Sequence, residues 1–325
     1  MRYGVTLQGV DPPSEFAELA RWIEGLGYDD LWLTDSSLHA ADVYIYTTIA
    51  LQATQRIRVG TAVTNPLTRH PAITANSFAT LAQLAPARVV CGIGVGDRPL
   101  REIGLRVATI DTVAVALEVM RRLWDGDELN GPVGAHEYAG ARLRRPPGAL
   151  PVYWSASGPR TLTAAGQHAD GAILLIGLFA EALDFALARL QEGRAASTVP
   201  AFERVCFLYG SLRDDEVDAI AEARTIAAWF PQTAPVYARL AGMNEELIST
   251  IVSAYGGGEF QQAGAAAALV PDELVRTLAF AGTTETTAAK LAMLRERGIE
   301  SVSVFPLGLD RRGTIERFAR MAELA

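Results

Sequence analysis

Polar residues able to carry out chemistry follow several apolar segments of the sequence, at the points where buried strands would end. Carboxylates at such positions can exchange a proton with a substrate or hold it in place. Hydroxyl residues, glycines and a guanidinium at the start of a helix can bind a phosphate group. The residues concerned are Asp35, Ser36, Thr64, Asn65, Asp97, Ser155, Ser157, Gly158, Arg160 and Thr161.

The run Gly94-Val95-Gly96-Asp97 has two possible interpretations. The dinucleotide fingerprint G-x-G-x-x-G fails, because Asp97 stands where its third glycine is required and no acidic residue is suitably placed to bind a ribose. In a barrel, the glycines would instead let a cofactor ring approach the backbone closely. Asp97 would then be a carboxylate that faces the cavity and exchanges a proton with the substrate. A cap on the following helix is its alternative role.

The segment Ser155–Thr161 follows a predicted strand and opens a predicted helix. Backbone N–H groups at the helix N-terminus, small hydroxyl residues and the Arg160 guanidinium together suit a phosphate group. Pro159, in the first helical turn, removes no N–H group that the helix needs. Taken alone, the segment is equally compatible with an ordinary helix cap and turn.

Two buried strands joined by a helix position the central residues of this set. Ile57–Val63 and Arg88–Gly94 are apolar and rich in β-branched residues, and the segment Pro71–Leu84 between them has the spacing of a helix. Strands that are apolar nearly throughout and joined by a helix predict a parallel pair buried on both faces. Parallel α/β folds bind ligands at the C-terminal ends of their strands, where the polar residues named above would lie.

The same alternation of strand and helix recurs along the chain and predicts an α/β fold, a (β/α)8 TIM barrel. The predicted strands are Tyr3–Leu7, Asp30–Thr34, Ile57–Val63, Arg88–Gly94, Pro151–Ser155, Gly171–Ile176, Phe202–Tyr209 and Ser301–Phe305. From about residue 213 to 282 the strand signal stops, and alanine-rich helical segments predict a helical insertion after the seventh strand. We therefore predict a single TIM-barrel domain over residues 1–325, with a small extended excursion at Asp127–Arg145.

Composition limits the classes of function. The chain has 325 residues, 50% of them hydrophobic, and a net charge of −8, so it can bury a large core and has no basic footprint for nucleic acid. No signal peptide and no run of about 18 apolar residues is found, so we expect a cytoplasmic enzyme without a membrane partner.

Cys91 and Cys206 lie in strand-like runs and are predicted to be buried thiols. Histidine spacing predicts no metal site, and no Ser-His-Asp set or nucleophile elbow occurs.

The central stretch resembles a known superfamily. VGTAVTNPLTRHPAITANSFATL, followed by RVVCGIGVGD, is similar to the luciferase-like, or bacterial luciferase, superfamily of TIM barrels that depend on flavin or on the deazaflavin F420. The nearest branch is that of the F420-dependent methylenetetrahydromethanopterin reductase. The two motifs are specific together, whereas either alone is weak.

The resemblance implies a bound cofactor, F420 or alternatively FMN, at the C-terminal mouth of the barrel. Asp35 corresponds to a ligand of the cofactor ring, and Ala62-Val63 to the position of a cis peptide bond behind it. The cofactor phosphate would bind the segment Ser155–Thr161, and Arg160 and Arg98 are candidates to hold the anionic tail of F420. The implied cofactor contacts are Asp35, Ala62, Val63, Thr64, Asn65, Val95, Gly96, Ser155, Ser157, Gly158, Arg160, Thr161, Ile176 and Gly177.

The resemblance also implies a catalytic set of Asp97, Asp35 and Ser36. Asp97 falls where the F420-dependent branch often has a catalytic acid. Ser36 is the main departure, because several relatives have histidine directly after this aspartate and an imidazole acid or base is excluded here. The nearest histidine, His39, could reach the site, although a place in a surface loop is favoured.

Three functions are compatible with this sequence. The first is an F420-dependent oxidoreductase that transfers a hydride between the deazaflavin and a small organic substrate. The alternative is a two-component FMN-dependent monooxygenase served by a separate flavin reductase. A further alternative is a non-catalytic flavin-binding barrel. The superfamily is usually dimeric, so we expect a homodimer.

Overall fold

A computed structural model describes residues 1–255 and 263–324 of the chain, except for the side chains of Arg98 and Leu324. Its strands are β1 (Arg2–Leu7), β2 (Asp30–Leu33), β3 (Arg58–Thr61), β4 (Val89–Ile93), β5 (Leu129–Val133), β6 (His136–Ala141), β7 (Val152–Ala156), β8 (Gly171–Leu174), β9 (Glu203–Leu212), β10 (Phe280–Gly282) and β11 (Ser301–Pro306). Its helices are α1 (Pro13–Gly25), α2 (Val43–Ala53), α3 (Pro71–Leu84), α4 (Arg98–Glu102), α5 (Ile110–Trp124), α6 (Pro159–His168), α7 (Ala180–Arg194), α8 (Glu216–Thr233), α9 (Pro235–Leu240), α10 (Glu245–Tyr255), α11 (Gly264–Ala267), α12 (Asp272–Leu278), α13 (Thr284–Glu296) and α14 (Arg311–Leu324).

Eight of the strands in the described part of the chain form a closed parallel barrel. Around the barrel they follow the order β1, β2, β3, β4, β7, β8, β9 and β11, and β11 pairs with β1 to close the ring. Helices surround the strands, so the predicted (β/α)8 TIM barrel is confirmed. Each of the eight predicted strands overlaps one strand of the barrel.

Three of the described strands lie outside the barrel. β5 and β6 form an antiparallel hairpin within the predicted extended excursion. β10 pairs with the end of β9, which continues three residues beyond the predicted end at Tyr209, to Leu212. Phe280 of β10 comes so close to Gly210 that a Cβ on Gly210 would collide with its carbonyl oxygen. Hydrophobic periodicity missed β10 because three residues are too few to show a period.

Helices α8 to α12 lie between β9 and β10, and residues 256–262 of this segment lie outside the described residues. The single domain with an insertion at about residues 213–282 stays a prediction. Over residues 1–255 and 263–324, none of the helices combines the length and the apolar character needed to cross a membrane.

Alternation along the strands separates the barrel interior from the helix layer. On β9, Val205 and Phe207 belong to an interior cluster with Trp32 and Tyr153, whereas Cys206 packs in the core beneath the helices. Successive side chains of a strand point to opposite faces, which produces this division. Cys91 and Cys206 are both buried free thiols, and burial raises the pKa of each.

Ion pairs close the lower end of the barrel. Arg2, Asp30, Arg58 and Glu203 are the first residues of β1, β2, β3 and β9. Arg58 binds Asp30 with two hydrogen bonds, of 2.6 and 2.9 Å, and lies 3.6 Å from Glu203. Arg2 pairs with Asp30 and Glu203, and the Tyr153 hydroxyl donates to Glu203 at 2.5 Å. Asp30 is 1% exposed, so these partners rather than water satisfy its carboxyl oxygens.

We expect Arg58→Met to lower the free energy of unfolding by about 3 kcal/mol, because it removes the bidentate partner of a buried carboxylate. Arg122→Met is the matched control. Arg122 pairs with Glu118 and Asp127, whose side chains are 56% and 53% exposed, so its loss should cost less than about 1 kcal/mol. Urea unfolding of the three proteins measures both effects. Equal losses would mean that the ion pairs at the lower end contribute no more than a surface pair.

Candidate active site

The predicted site residues follow five neighbouring strands of the barrel, β2, β3, β4, β7 and β8. All of these strands are parallel, so their C-terminal ends lie at the same mouth of the barrel. The sites of TIM-barrel enzymes are built at this end.

The chain beyond β3 stays beside β4 and brings Thr64 into the mouth. The amide of Thr64 donates to the carbonyl of Gly92, and the amide of Gly94 donates to the carbonyl of Thr64, both at 2.9 Å. The preceding Ala62-Val63 peptide bond is cis. A Cβ on Gly94 would lie 2.9 Å from a methyl group of Val63, so glycine is needed for this close packing.

A buried hydroxyl network ends at Asp35. The Thr64 hydroxyl donates to the Asp35 carboxylate at 2.9 Å, and the Tyr44 hydroxyl lies 3.0 Å from that of Thr64. A threonine hydroxyl has one hydrogen, so when that hydrogen serves Asp35 the Tyr44 hydroxyl must be the donor to Thr64. The network therefore runs from Tyr44 through Thr64 to Asp35 and orients the carboxylate.

Burial raises the pKa of Asp35, although the hydrogen bond from Thr64 acts in the opposite direction. The negative charge of Asp42 also raises this pKa, whereas Arg69 lowers it. Arg69 pairs with Asp42 at 2.6 Å and lies over the Tyr44 ring, 4.2 Å from the centroid. Asp35 is therefore a carboxyl group whose protonated form is favoured by its surroundings, in a mouth where it could meet a ligand.

Asn65 shapes the loop that follows β3. Its side-chain oxygen accepts hydrogen bonds from the amides of Leu67 and Thr68, at 3.0 and 2.9 Å. That oxygen is therefore used by the turn, and the side-chain NH2 group is the part of Asn65 that can donate to a ligand. The hydroxyl of Thr64 is hydrogen-bonded to Asp35 and Tyr44. Its role in the site is therefore to orient the Asp35 carboxylate.

The loop after β2 directs its histidine to a glutamate that follows β4. The carbonyl of Ser36 accepts hydrogen bonds from the amides of His39 and Ala40, which closes a turn. The His39 Nε2 atom lies 2.5 Å from a carboxylate oxygen of Glu102 on α4. His39 therefore links the loops after β2 and β4, and the hydroxyl of Ser36 occupies the position next to Asp35.

Asp97 is exposed and immediately precedes α4. Its side chain makes no capping hydrogen bond to that helix, so Asp97 does not have the alternative role of a side-chain helix cap. Gly96 has a φ of +81°, a conformation that favours glycine. The carbonyl of Val95 accepts a hydrogen bond from Ala108, which ties this loop to the segment before α5.

The segment after β7 presents the N-terminus of α6 to the mouth. Gly158 is the cap residue, and no side chain caps the first turn. The Tyr237 hydroxyl donates to the carbonyl of Ser157 at 2.7 Å, and the Thr161 hydroxyl donates to that of Gly158 at 2.9 Å. Arg160 is exposed and forms no ion pair within the described residues. First-turn N–H groups and a nearby guanidinium are suited to an anion.

The remaining predicted contact residues differ in which of their groups a ligand could reach. Ser155 is half-buried at the end of β7, and Ile176 and Gly177 are buried after β8. The Ile176 side chain packs in the core, so its backbone is the part left for a ligand. Arg98 begins α4, and its side chain lies outside the described residues.

Sequence reasoning missed two tyrosines that support this site. Tyr44 lies on α2 and Tyr237 on α9, far apart along the chain, and each donates a hydrogen bond to a predicted site loop. In the sequence, both tyrosines fit the hydrophobic pattern of a buried helix face. No neighbouring motif indicates that their hydroxyl groups bind a site loop. Among the described residues no group of three potential metal ligands occurs.

Comparison with known proteins gives consistent matches. Residues 2–301 match the model of the luciferase-like monooxygenase family. The chain is 27% identical to the 5,10-methylenetetrahydromethanopterin reductase of Archaeoglobus fulgidus, over 97% of each chain. It is 29% identical to the F420-dependent glucose-6-phosphate dehydrogenase of Kineococcus radiotolerans, over 65% of this chain and 68% of that protein. The structure resembles the coenzyme F420-dependent tetrahydromethanopterin reductase of Methanopyrus kandleri, with a TM-score of 0.86, 25% identity, and 98% and 97% coverage.

Thr64→Val keeps the side-chain shape but removes the hydroxyl group that donates a hydrogen bond to Asp35. Because this bond favours the ionised carboxylate, we expect the pKa of Asp35 to rise further, so that protonation begins at a higher pH. Carboxyl-carbon NMR titration measures the change. Tyr44→Phe is the control, because it leaves the bond from Thr64 to Asp35 in place and should move this pKa less. An unchanged or lower pKa in Thr64→Val would contradict the proposed donor direction.

Proposed function

The chain belongs to the luciferase-like monooxygenase family, and from this premise we propose that it is an oxidoreductase that uses the deazaflavin coenzyme F420. The observation that carries the proposal is the nearly full-length likeness to an F420-dependent reductase, at a TM-score of 0.86. The F420-dependent glucose-6-phosphate dehydrogenases support the same cofactor. The proposed reaction moves a hydride between the deazaflavin and a small organic substrate at the C-terminal mouth.

The donor groups of the mouth fit a phosphorylated cofactor of this kind. The N-terminus of α6, which has no side-chain cap, supplies hydrogen-bond donors for a phosphodiester, as do the hydroxyls of Ser155 and Ser157. The exposed Arg160 adds positive charge. Thr161 directs its hydroxyl to Gly158, so its backbone N–H group is the part that would bind.

The loops after β3 and β4 would hold the ring. Asn65 has side-chain N–H donors left for its polar edge. A Cβ on Gly94 or Gly96 would meet Val63 or Leu100, so these glycines serve the packing of the loop on which the ring would lie. Asp35, oriented by Thr64, would contact the ring through its carboxyl group. Ile176 and Gly177 would border the ring through their backbone.

When bound, F420 accepts or donates a hydride at C5 of its deazaflavin ring. The protein orients the substrate carbon and keeps water out of the mouth. Asp97, exposed at the start of α4, would exchange a proton with the substrate. Ser36 can donate or accept a hydrogen bond beside Asp35 but has no imidazole with which to act as an acid or base near neutral pH.

FMN-dependent oxygenation is the second candidate, and the monooxygenase name of the matching family is the observation that favours it. It would require reduced FMN from a separate flavin reductase and molecular oxygen. Both cofactors would place a phosphate group at the N-terminus of α6. The protein would therefore distinguish F420 from FMN by its contacts with the ring. The homodimer and the reductase partner stay predictions.

Titration of the apoprotein with oxidised F420 and, separately, with FMN tests the proposal. We expect micromolar or tighter binding of F420 and weaker binding of FMN, followed by the fluorescence of each cofactor. Arg160→Ala should weaken F420 binding about tenfold through the loss of one charge-assisted contact. Arg144→Ala, an exposed arginine outside the mouth, should leave it unchanged. Tighter FMN binding, with oxygen consumption when a flavin reductase is added, would favour the monooxygenase instead.

Asp97→Asn tests the proton-transfer role. We expect the rate of F420-coupled turnover to fall about 100-fold or more, because an amide cannot exchange the proton, while F420 binds as before. Asp125→Asn, at the C-terminal end of α5, removes an exposed carboxylate at the opposite end of that helix from the loop after β4 and should leave the rate unchanged. Stopped-flow measurement of F420 absorbance reports turnover. A rate within twofold of the wild type would remove Asp97 from the mechanism.

A further inference from the structure

Three aromatic side chains join the β5–β6 hairpin to the start of α3. The rings of His70 and His136 have centroids 4.1 Å apart, with planes inclined at 59°. The Tyr138 ring contacts both edge-on, with centroids 5.6 Å from His70 and 6.3 Å from His136. We call His70 and His136 the histidine pair, because two titratable groups are in direct contact there.

The hairpin depends on contacts of this kind, because two antiparallel strands alone are at best marginally stable in water. The turn between its strands lies against α5, where a Cβ on Gly134 would come within 2.6 Å of a Val115 methyl group. Leu129 and Tyr138 are buried, at 0% and 6% exposure. These contacts anchor the hairpin on α5 and on the core, and the histidine pair adds the contact with α3.

His70 also caps α3. Its Nδ1 atom accepts a hydrogen bond from the amide of Ala72 at 3.1 Å. A ring nitrogen that accepts has no hydrogen, so this imidazole is neutral and carries its hydrogen on Nε2. The cap satisfies one of the amides that have no partner within the helix. Protonation of Nδ1 would break this bond and place a positive charge at a helix N-terminus, where the helix dipole makes it unfavourable.

Burial lowers the pKa of His70, and the nearby His136 lowers it further. Helix α3 contains no ionisable side chain that could offset these effects. Glu137 follows His136 on β6, so its side chain points to the opposite face of the strand. Charged groups of the neighbouring segments are engaged elsewhere: Arg69 with Asp42, Arg121 with Asp170, Arg122 with Glu118 and Asp127, and Asp111 with His168, while Glu128 and Arg142 flank the far end of the hairpin.

We propose that the histidine pair is a pH-sensitive latch, which holds the hairpin on α3 while both rings are neutral and releases it when they become protonated. Protonation of His70 removes the cap of α3, and protonation of both rings places two positive charges in contact, where they repel. Release lets water hydrate the charged rings, which favours the open form further. The inference goes beyond the proposed function, because it involves no group that would bind the cofactor.

The direction of the pH dependence follows from the lowered pKa of His70. In the released hairpin this pKa returns toward its ordinary value of 6.5, because burial and the contact with His136 are lost. The released form therefore takes up a proton at a higher pH than the docked form. Docking is fully stable above about pH 7.5 and weakens as the pH falls through 6.5 toward the lowered pKa of the docked form. At still lower pH both forms are protonated, and His70 causes no further weakening.

Hydrogen exchange measured by mass spectrometry tests the latch in the intact protein. Protection factors are compared at about pH 7.5 and about pH 5, because they correct for the intrinsic effect of pH on amide exchange. We expect the protection of residues 129–141 to fall about tenfold, since a tenfold change follows when the pKa of one group differs by about 1 between two forms. Helix α1, which packs on α2, is the internal reference and should keep its protection.

Two variants remove the titration in different ways. His70→Asn keeps a side-chain oxygen that can cap α3 but cannot be protonated, so it should reduce the effect of pH on the hairpin to within about twofold. His136→Phe keeps a ring against His70 but removes the second charge, so we expect an intermediate fall of about threefold. His168→Gln is the matched control. Burial also lowers the pKa of His168, but this residue ends α6, and its loss should leave the fall in hairpin protection unchanged.

Unchanged protection of the wild-type hairpin between the two pH values would overturn the proposal. So would a fall of the wild-type size that persists in His70→Asn, or one that disappears in His168→Gln. A loss of protection shared by α1 would mean that acid opens the barrel as a whole, which would also contradict a latch confined to the hairpin.

Discussion

The rest of the barrel depends on how Trp32 fills its interior. The indole occupies the space that a side chain on the neighbouring strand would need, because a Cβ on Gly60 would lie 2.5 Å from its ring. Tyr153 and Phe207 surround it, with ring centroids 6.0 and 5.9 Å away. Close packing of this layer makes the interior a solid core rather than a channel. The floor of the mouth, to which Ala62 and Val63 contribute, is built on this core.

The two ends of the barrel carry polar groups for opposite reasons. At the lower end, Asp30 and Arg58 satisfy each other, and their charges are neutralised within the fold. At the upper end, Asp35 accepts a hydrogen bond from the Thr64 hydroxyl, and burial raises its pKa. Because its pKa is raised, ionisation of this carboxyl group lowers the stability of the fold.

The mouth of the barrel has two parts whose residues differ in chemistry. Five neighbouring strand ends carry groups suited to a phosphorylated ring cofactor, from Asp35 to the N-terminus of α6. The other strand ends border a cavity that Glu222 and Phe305 line. This separation is consistent with loop variation on a constant barrel.

Local patterns determined much of this protein. Apolar runs alternating with helices predict the eight barrel strands, and the motifs after β3, β4 and β7 predict which loops carry polar groups, because both depend on residues close together in sequence. The short β10, the turn of His39 toward Glu102 and the supports from Tyr44 and Tyr237 depend on packing between distant segments. The same is true of the cavity, whose lining comes from residues 6 to 10, 222 to 225 and 305 to 311. These contacts form only in the closed barrel, because ring closure brings β1 beside β11 and α8 packs on the neighbouring β9.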